Sequence, residues 1–150
     1  MRMTFGGAPE IRATRDHVWR RLLDPKFVAS TASLIEKVDE HDDTHFTVIV
    51  GLGIGSLKLR FTLKAEIFDI IEGETAKLRA RGKAPGSTLD TTTTFRLEEL
   101  APQLIRLNWK AESEVGGTVA SVGARLLEGT ARRLAEDFWR DFAEKVSAEA

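Results

Sequence analysis

From Leu34 to Leu107 apolar and polar residues alternate with period two, and from Thr118 to Ser147 apolar residues recur every three or four positions. The first pattern predicts half-buried antiparallel strands and the second a helix with one apolar face. Turn signals at Glu40 to Asp43, Gly51 to Gly55, Glu72 to Glu74, Ala84 to Gly86 and Glu98 to Pro102 divide the alternating region into six strands. The clearest runs from Leu57 to Ile70. There Leu57, Leu59, Phe61, Leu63, Ala65 and Ile67 share one face, and Lys58, Arg60, Thr62, Lys64 and Glu66 share the other. Such a strand reaches ~45 Å at ~3.3 Å per residue, too long to stay flat, so the sheet is expected to twist and curl.

Ahead of this region, Met1, Met3 and Phe5 alternate weakly before Gly6, Gly7 and Pro9, which suits an edge strand with a bulge within Met1 to Ile11. Thr14 then caps a short helix carrying Val18, Trp19, Leu22 and Leu23. Asp24 and Pro25 start a second short helix with Phe27 and Val28 that fades by Ser30. In the last segment Val119, Val122, Leu126, Leu127, Leu134, Phe138, Phe142 and Val146 form the apolar stripe. Its outer face offers Glu128 to Arg132, Glu136 to Arg140 and Asp141 to Lys145 as i, i+4 pairs, and Trp139 stands offset from the stripe. The order of elements predicts an α+β fold: a curved seven-stranded antiparallel sheet wrapped around one long C-terminal helix, with two short helices after the first strand.

Length and composition narrow the class. A chain of 150 residues can bury one substantial core, so residues 1–150 are read as a single ligand-binding domain. Twenty-two basic residues against 23 acidic ones give no global reason to bind nucleic acid. Without cysteine there is neither a disulfide framework nor a thiolate ligand or nucleophile, which favours a reducing compartment. No window reaches the ~20 apolar residues that span a bilayer, and Met1 to Glu10 shows no signal-like apolar run. A cytoplasmic protein is expected, with any membrane contact peripheral.

Many inward positions on the later strands are small: Ala76, Ala80 and Gly82 beside Leu78, then Thr91 and Thr93 beside Leu89, Phe95 and Leu97, then Ala111 and Ser113 beside Leu107, Trp109 and Val115. The helix brings Ala131 and Ala135 to the same interface. Either the helix sits closer to the sheet there, or a cavity remains. The inward hydroxyls of Thr91, Thr93 and Ser113 favour a cavity, because a ligand or water can satisfy them. The candidate lining is Phe61, Leu63, Leu78, Thr91, Thr93, Trp109, Ala111, Leu127, Leu134 and Phe138.

Catalytic and metal chemistry find little support in the residues. His41 and His45 among Asp39, Asp42 and Asp43 fall on a hairpin turn, where aspartate serves turn geometry, and no metal site is assigned. Gly51, Gly53 and Gly55 lack the following Lys-Ser/Thr pair and helix of a phosphate loop, and read instead as a mobile turn at the cavity mouth. Gly116 and Gly117 read as a turn or hinge before the helix. No pair of carboxylates points inward and no catalytic residue is assigned. The outer sheet face gathers Lys58, Arg60, Lys64, Lys77, Arg79, Arg81, Arg96, Arg106 and Lys110, a basic patch suited to an anionic membrane or an acidic protein.

Gly6-Gly7, Val18-Trp19, Leu23-Asp24-Pro25, the glycine-rich turn before a long strand, and Gly116-Gly117 followed by Gly123 resemble the CoxG family of carbon monoxide dehydrogenase subunits. That family lies within the START and polyketide-cyclase-like (SRPBCC) superfamily, and the resemblance covers nearly the whole chain. One departure is Thr31-Ala32-Ser33, where the family usually has Pro-Gly. The resemblance implies a helix-grip fold and a non-catalytic accessory protein linked to molybdenum hydroxylases and membrane recruitment. It implies no covalently bound cofactor, with a quinone or lipid as the guest. Partners so implied are an apolar small molecule, a molybdenum hydroxylase and the inner membrane surface. Two alternatives stand beside it: a cyclase or dehydratase on the same fold, and an interaction module using the basic sheet face.

Overall fold

The computed structural model describes all residues, Met1 to Ala150. The chain runs through β1 (Arg2–Gly7), β2 (Glu10–Ile11), α1 (Arg15–Leu22), α2 (Pro25–Thr31), β3 (Ile35–Glu40), β4 (His45–Ile54), β5 (Leu57–Ile71), β6 (Thr75–Ala84), β7 (Ser87–Ala101), β8 (Leu104–Gly117), the single-turn η1 (Thr118–Val122) and α3 (Ala124–Glu149). Seven strands form one antiparallel sheet in the order β1-β8-β7-β6-β5-β4-β3, and the two-residue β2 pairs with β8 beside β1. This is the α+β helix-grip arrangement, with the N-terminal strand broken at Ala8-Pro9 into β1 and β2 because proline cannot donate to a ladder.

Both short helices start where side chains meet free backbone amides. The Thr14 hydroxyl accepts from the His17 N–H at 3.2 Å and the Asp24 carboxylate from the Phe27 N–H at 3.2 Å. Long β5 runs antiparallel between β4 and β6, and the sheet closes tightest at Gly82, where a Cβ would strike the carbonyl of Thr62 on β5. Beyond β3 the sheet ends in a free edge carrying Glu36, Lys37, Asp39 and Glu40, all exposed.

Three expectations are corrected. The glycines of the segment Gly51 to Gly55 do not form a five-residue turn: β4 stays in register with β5 to the pair Ile54–Leu57, leaving only Gly55 and Ser56 to turn. Val50, Leu52 and Ile54 keep the inward alternation through that stretch, and the glycines merely occupy outward positions. The long helix begins at Ala124, not Thr118, because Gly123 adopts φ 103°, a left-handed conformation that ends η1. Val119 is buried ahead of the helix, its N–H donating to the Ser87 hydroxyl at 3.0 Å. Finally, none of the three expected i, i+4 pairs forms on α3. Arg140 instead reaches Asp137 at 2.9 Å and Asp141 at 3.4 Å.

Candidate functional site

A cavity of about 330 Å³ lies between the concave face of the sheet and the middle of α3. An engineered apolar cavity of ~150 Å³ holds benzene, so this space admits roughly a two-ring guest, the lower range of natural ligand pockets. All ten residues singled out from the sequence line it: Phe61, Leu63, Leu78, Thr91, Thr93, Trp109, Ala111, Leu127, Leu134 and Phe138. They converge because strand alternation turns every second residue of β5 to β8 inward and α3 presents one stripe to them.

The hollow follows from side-chain size. On the sheet, Ala80, Thr91, Ala111 and Ser113 are cross-strand or next-but-one neighbours, and α3 faces the cavity with Ala131 and Ala135. Thr91, Ala111 and Ser113 point inward yet are only half-buried, so the surface they leave free is cavity wall. At the far end Trp139 closes the space. Its ring lies 5.2 Å from Phe95, 6.0 Å from Trp109, 4.8 Å from Phe138 and 5.6 Å from Phe142, mostly edge-to-face.

Trp139 is the lining residue that the sequence reading missed. The buried face of α3 passes through Trp139, Phe142, Ala143 and Val146, spaced three, one and three apart, whereas the expected stripe stepped by four through Leu134, Phe138, Phe142 and Val146. Steps of four drift by ~40° per repeat at 3.6 residues per turn, which carried the reading off the true face. The same drift misplaced Leu126. It is 46% exposed and stands beside Gly55 at the cavity rim.

The lining is almost without polarity. Of 35 lining residues none is charged and none is histidine; the polar side chains are Thr91, Thr93 and Ser113. Thr91 and Ser113 face each other across β7 and β8 with their hydroxyl oxygens 2.8 Å apart. The remaining titratable groups lie outside. Asp42 accepts the backbone N–H groups of Thr44 and His45, at 2.9 and 2.8 Å, and a contact from the His45 ring. Chiefly the Thr44 amide, then the His45 side chain, lower its carboxyl to about 2. This is turn chemistry, with His45 already in β4.

The outer basic face is corrected by its neighbours. Arg60 pairs with Glu36 at 2.8 Å, Lys77 with Asp69 at 3.4 Å, Arg79 with Asp90 at 2.8 Å, Arg106 with Glu98 at 3.4 Å and Lys110 with Glu112 at 3.6 Å. Lys58, Lys64, Arg81 and Arg96 form no ion pair. The acids come from adjacent strands and from the same strand two residues away, which an inward-outward count along single strands does not register. The Arg79 hydrogen bond holds the Asp90 carboxyl below its ordinary range.

The sequence profile of CoxG, a subunit of carbon monoxide dehydrogenase, matches residues 7–147. No curated protein matches the sequence significantly. Among solved structures, a conserved protein from Geobacillus kaustophilus superimposes with a TM-score of 0.87 at 22% identity, over 99% of this chain and 96% of the other. The Zhui aromatase/cyclase from Streptomyces sp. R1128 gives 0.72 at 15% identity, over 97% and 94%. A START superfamily protein from Mycobacterium smegmatis gives 0.72 at 13%, over 98% and 99%. At these identities the structural likeness establishes the fold. No helix of the chain is long and apolar enough to cross a membrane.

Proposed function

Because the chain belongs to the CoxG family of carbon monoxide dehydrogenase subunits, we propose that it is a non-catalytic accessory protein holding a quinone or lipid between sheet and α3. The observation that carries this reading is the cavity wall, in which 31 of 35 residues are hydrophobic and none is ionisable. Burying one large apolar group contributes ~1.5 to 3 kcal/mol, so an apolar guest gains affinity there without a charged contact. A cyclase or dehydratase needs an acid or base aimed at the reacting atoms, and this wall offers three hydroxyls instead.

The cavity is smaller than a long-chain lipid or a long-tailed quinone, so such a guest would seat one end inside and pass the rest over the rim. Exposed Leu126 stands on that rim beside the β4–β5 turn, with Arg125 next to it on α3 and Lys58 just after the turn, both exposed. An apolar side chain flanked by free cations suits an anionic membrane surface, where each cation contributes ~1 kcal/mol. The enzyme partner on this reading is a molybdenum hydroxylase.

Native mass spectrometry of freshly purified protein, followed by organic extraction, tests the proposal. A quinone or lipid released at near one-to-one ratio supports it. An apo mass that does not change on addition of quinones and fatty acids refutes it.

A further inference from the structure

We infer that the Thr91–Ser113 hydroxyl pair is the polar anchor of the cavity, and that the guest is a neutral apolar molecule bearing a carbonyl or hydroxyl oxygen. The inference rests on the carrier reading above and adds the chemical class of the guest and the place of its oxygen.

The two hydroxyls form one hydrogen bond with each other, at 2.8 Å, and no other protein group bonds to either oxygen. A pair of hydroxyls sharing one bond keeps one proton to donate and several lone pairs to accept. Both oxygens lie on the cavity wall, so those capacities face the guest rather than the protein. Around the pair the wall is low: Ala80 stands opposite Thr91 on β6, and Ala111 lies two residues before Ser113 on β8. A headgroup can therefore rest against the hydroxyls without displacing a larger side chain.

Charge is excluded by what surrounds the pair. A carboxylate or ammonium seated there would lose its water with no opposite charge among the lining residues, and desolvating an unpaired ion is strongly unfavourable. A neutral oxygen needs only the hydrogen bond. Either hydroxyl of the pair can be the donor, so the same site serves a carbonyl by donating or a hydroxyl by accepting. The anchor thus fits the guest on both sides of a carbonyl-to-hydroxyl interconversion.

Calorimetric titration of menadione, 2-methylnaphthalene and 2-naphthoate at pH 7 tests the assignment. These probes share one ring skeleton and differ in carrying carbonyls, no oxygen or a charge. In the double variant Thr91→Val, Ser113→Ala, menadione affinity is expected to fall about three- to tenfold, the worth of one net hydrogen bond, while 2-methylnaphthalene is unchanged. Thr91→Ser keeps the hydroxyl and should bind menadione as the parent does, which guards against a folding defect in the double variant. Naphthoate should bind most weakly to every form.

Equal menadione affinity in parent and double variant overturns the anchor, and naphthoate binding tighter than menadione overturns the neutral class. Both results leave the carrier reading standing provided 2-methylnaphthalene binds. Failure of both neutral probes to bind the parent overturns the carrier reading and the anchor together.

Discussion

The two halves of α3 meet the sheet in opposite ways. Toward its C-terminus Phe142 and Val146 are completely buried, packed with Ile11, Val18 and the edge of the Phe27 ring 6.0 Å away. Toward its middle Ala131, Leu134, Ala135 and Phe138 are only half-buried and look onto the cavity. The helix is continuous through both. What differs is volume on the two facing surfaces: the packed end sets large side chains against Leu97, Ile105 and Leu107, whereas the hollow end sets alanines against Ala80, Thr91, Ala111 and Ser113. A helix held rigidly at one end by good packing cannot tilt to close the gap at the other, so the filled half maintains the empty one.

Truncation at the packed end should have the largest effect. Phe142→Ala is expected to cost about 3–5 kcal/mol in urea denaturation, the range for a fully buried aromatic. A loss below about 1 kcal/mol would mean that this end is not the anchor. Filling the hollow end should do the reverse. Ala135→Leu is expected to raise stability by about 1 kcal/mol while reducing binding of 2-methylnaphthalene more than tenfold, measured on the same preparation by melting and calorimetry. A loss of about 1–3 kcal/mol instead would show that the space is already filled.

Leu134→Ala sharpens the contrast on one helix. Leu134 is half-buried against open space, so its truncation should cost about 1 kcal/mol, well under the ~2–5 expected of a leucine in solid core. The smallest effect concerns the C-terminal clamp, where Glu149 takes a two-pronged bond from Arg21, at 3.0 and 2.8 Å, and one from His17 at 3.0 Å. Burial raises its carboxyl, but the His17 and Arg21 bonds together hold it below the ordinary 4.5. A depressed acid stabilises the fold above its unfolded pKa and loses that contribution as pH falls through the folded value. Glu149→Gln should therefore lower the melting temperature slightly near pH 7, and the difference from the parent should vanish on acidification below about 4.

The fold was legible because it rests on two periods and a few caps. Alternation from Leu57 to Ile70 placed Phe61, Leu63, Ala65 and Ile67 inward, and Thr14 and Asp24 marked two helix starts, all local properties of the chain. The cavity lining was legible for the same reason, as strand alternation alone selects Leu78, Thr91, Thr93, Trp109 and Ala111. Whether those residues enclose space depends on how far α3 stands from the sheet, and that distance is set by Phe142, Val146 and the short helices, far along the chain. Trp139 escaped because a stripe read in steps of four rotates away from the true face. The basic patch was overestimated because Glu36 lies two strands from Arg60 in the sheet order and Asp90 on the next strand from Arg79, pairings that exist only once the register is known.

The free edge at β3 has a consequence for how copies of this chain behave at high concentration. An open sheet ends in unpaired amides and carbonyls, which can template another strand and so seed fibrils. Here that edge is six residues long, irregular between Ile35 and Lys37, and exposes Glu36, Lys37, Asp39 and Glu40. An incoming copy would bring its own charged edge against this one and would meet a ladder interrupted at its second residue. The protein can therefore keep its sheet open on the β3 side without the sheet growing from molecule to molecule.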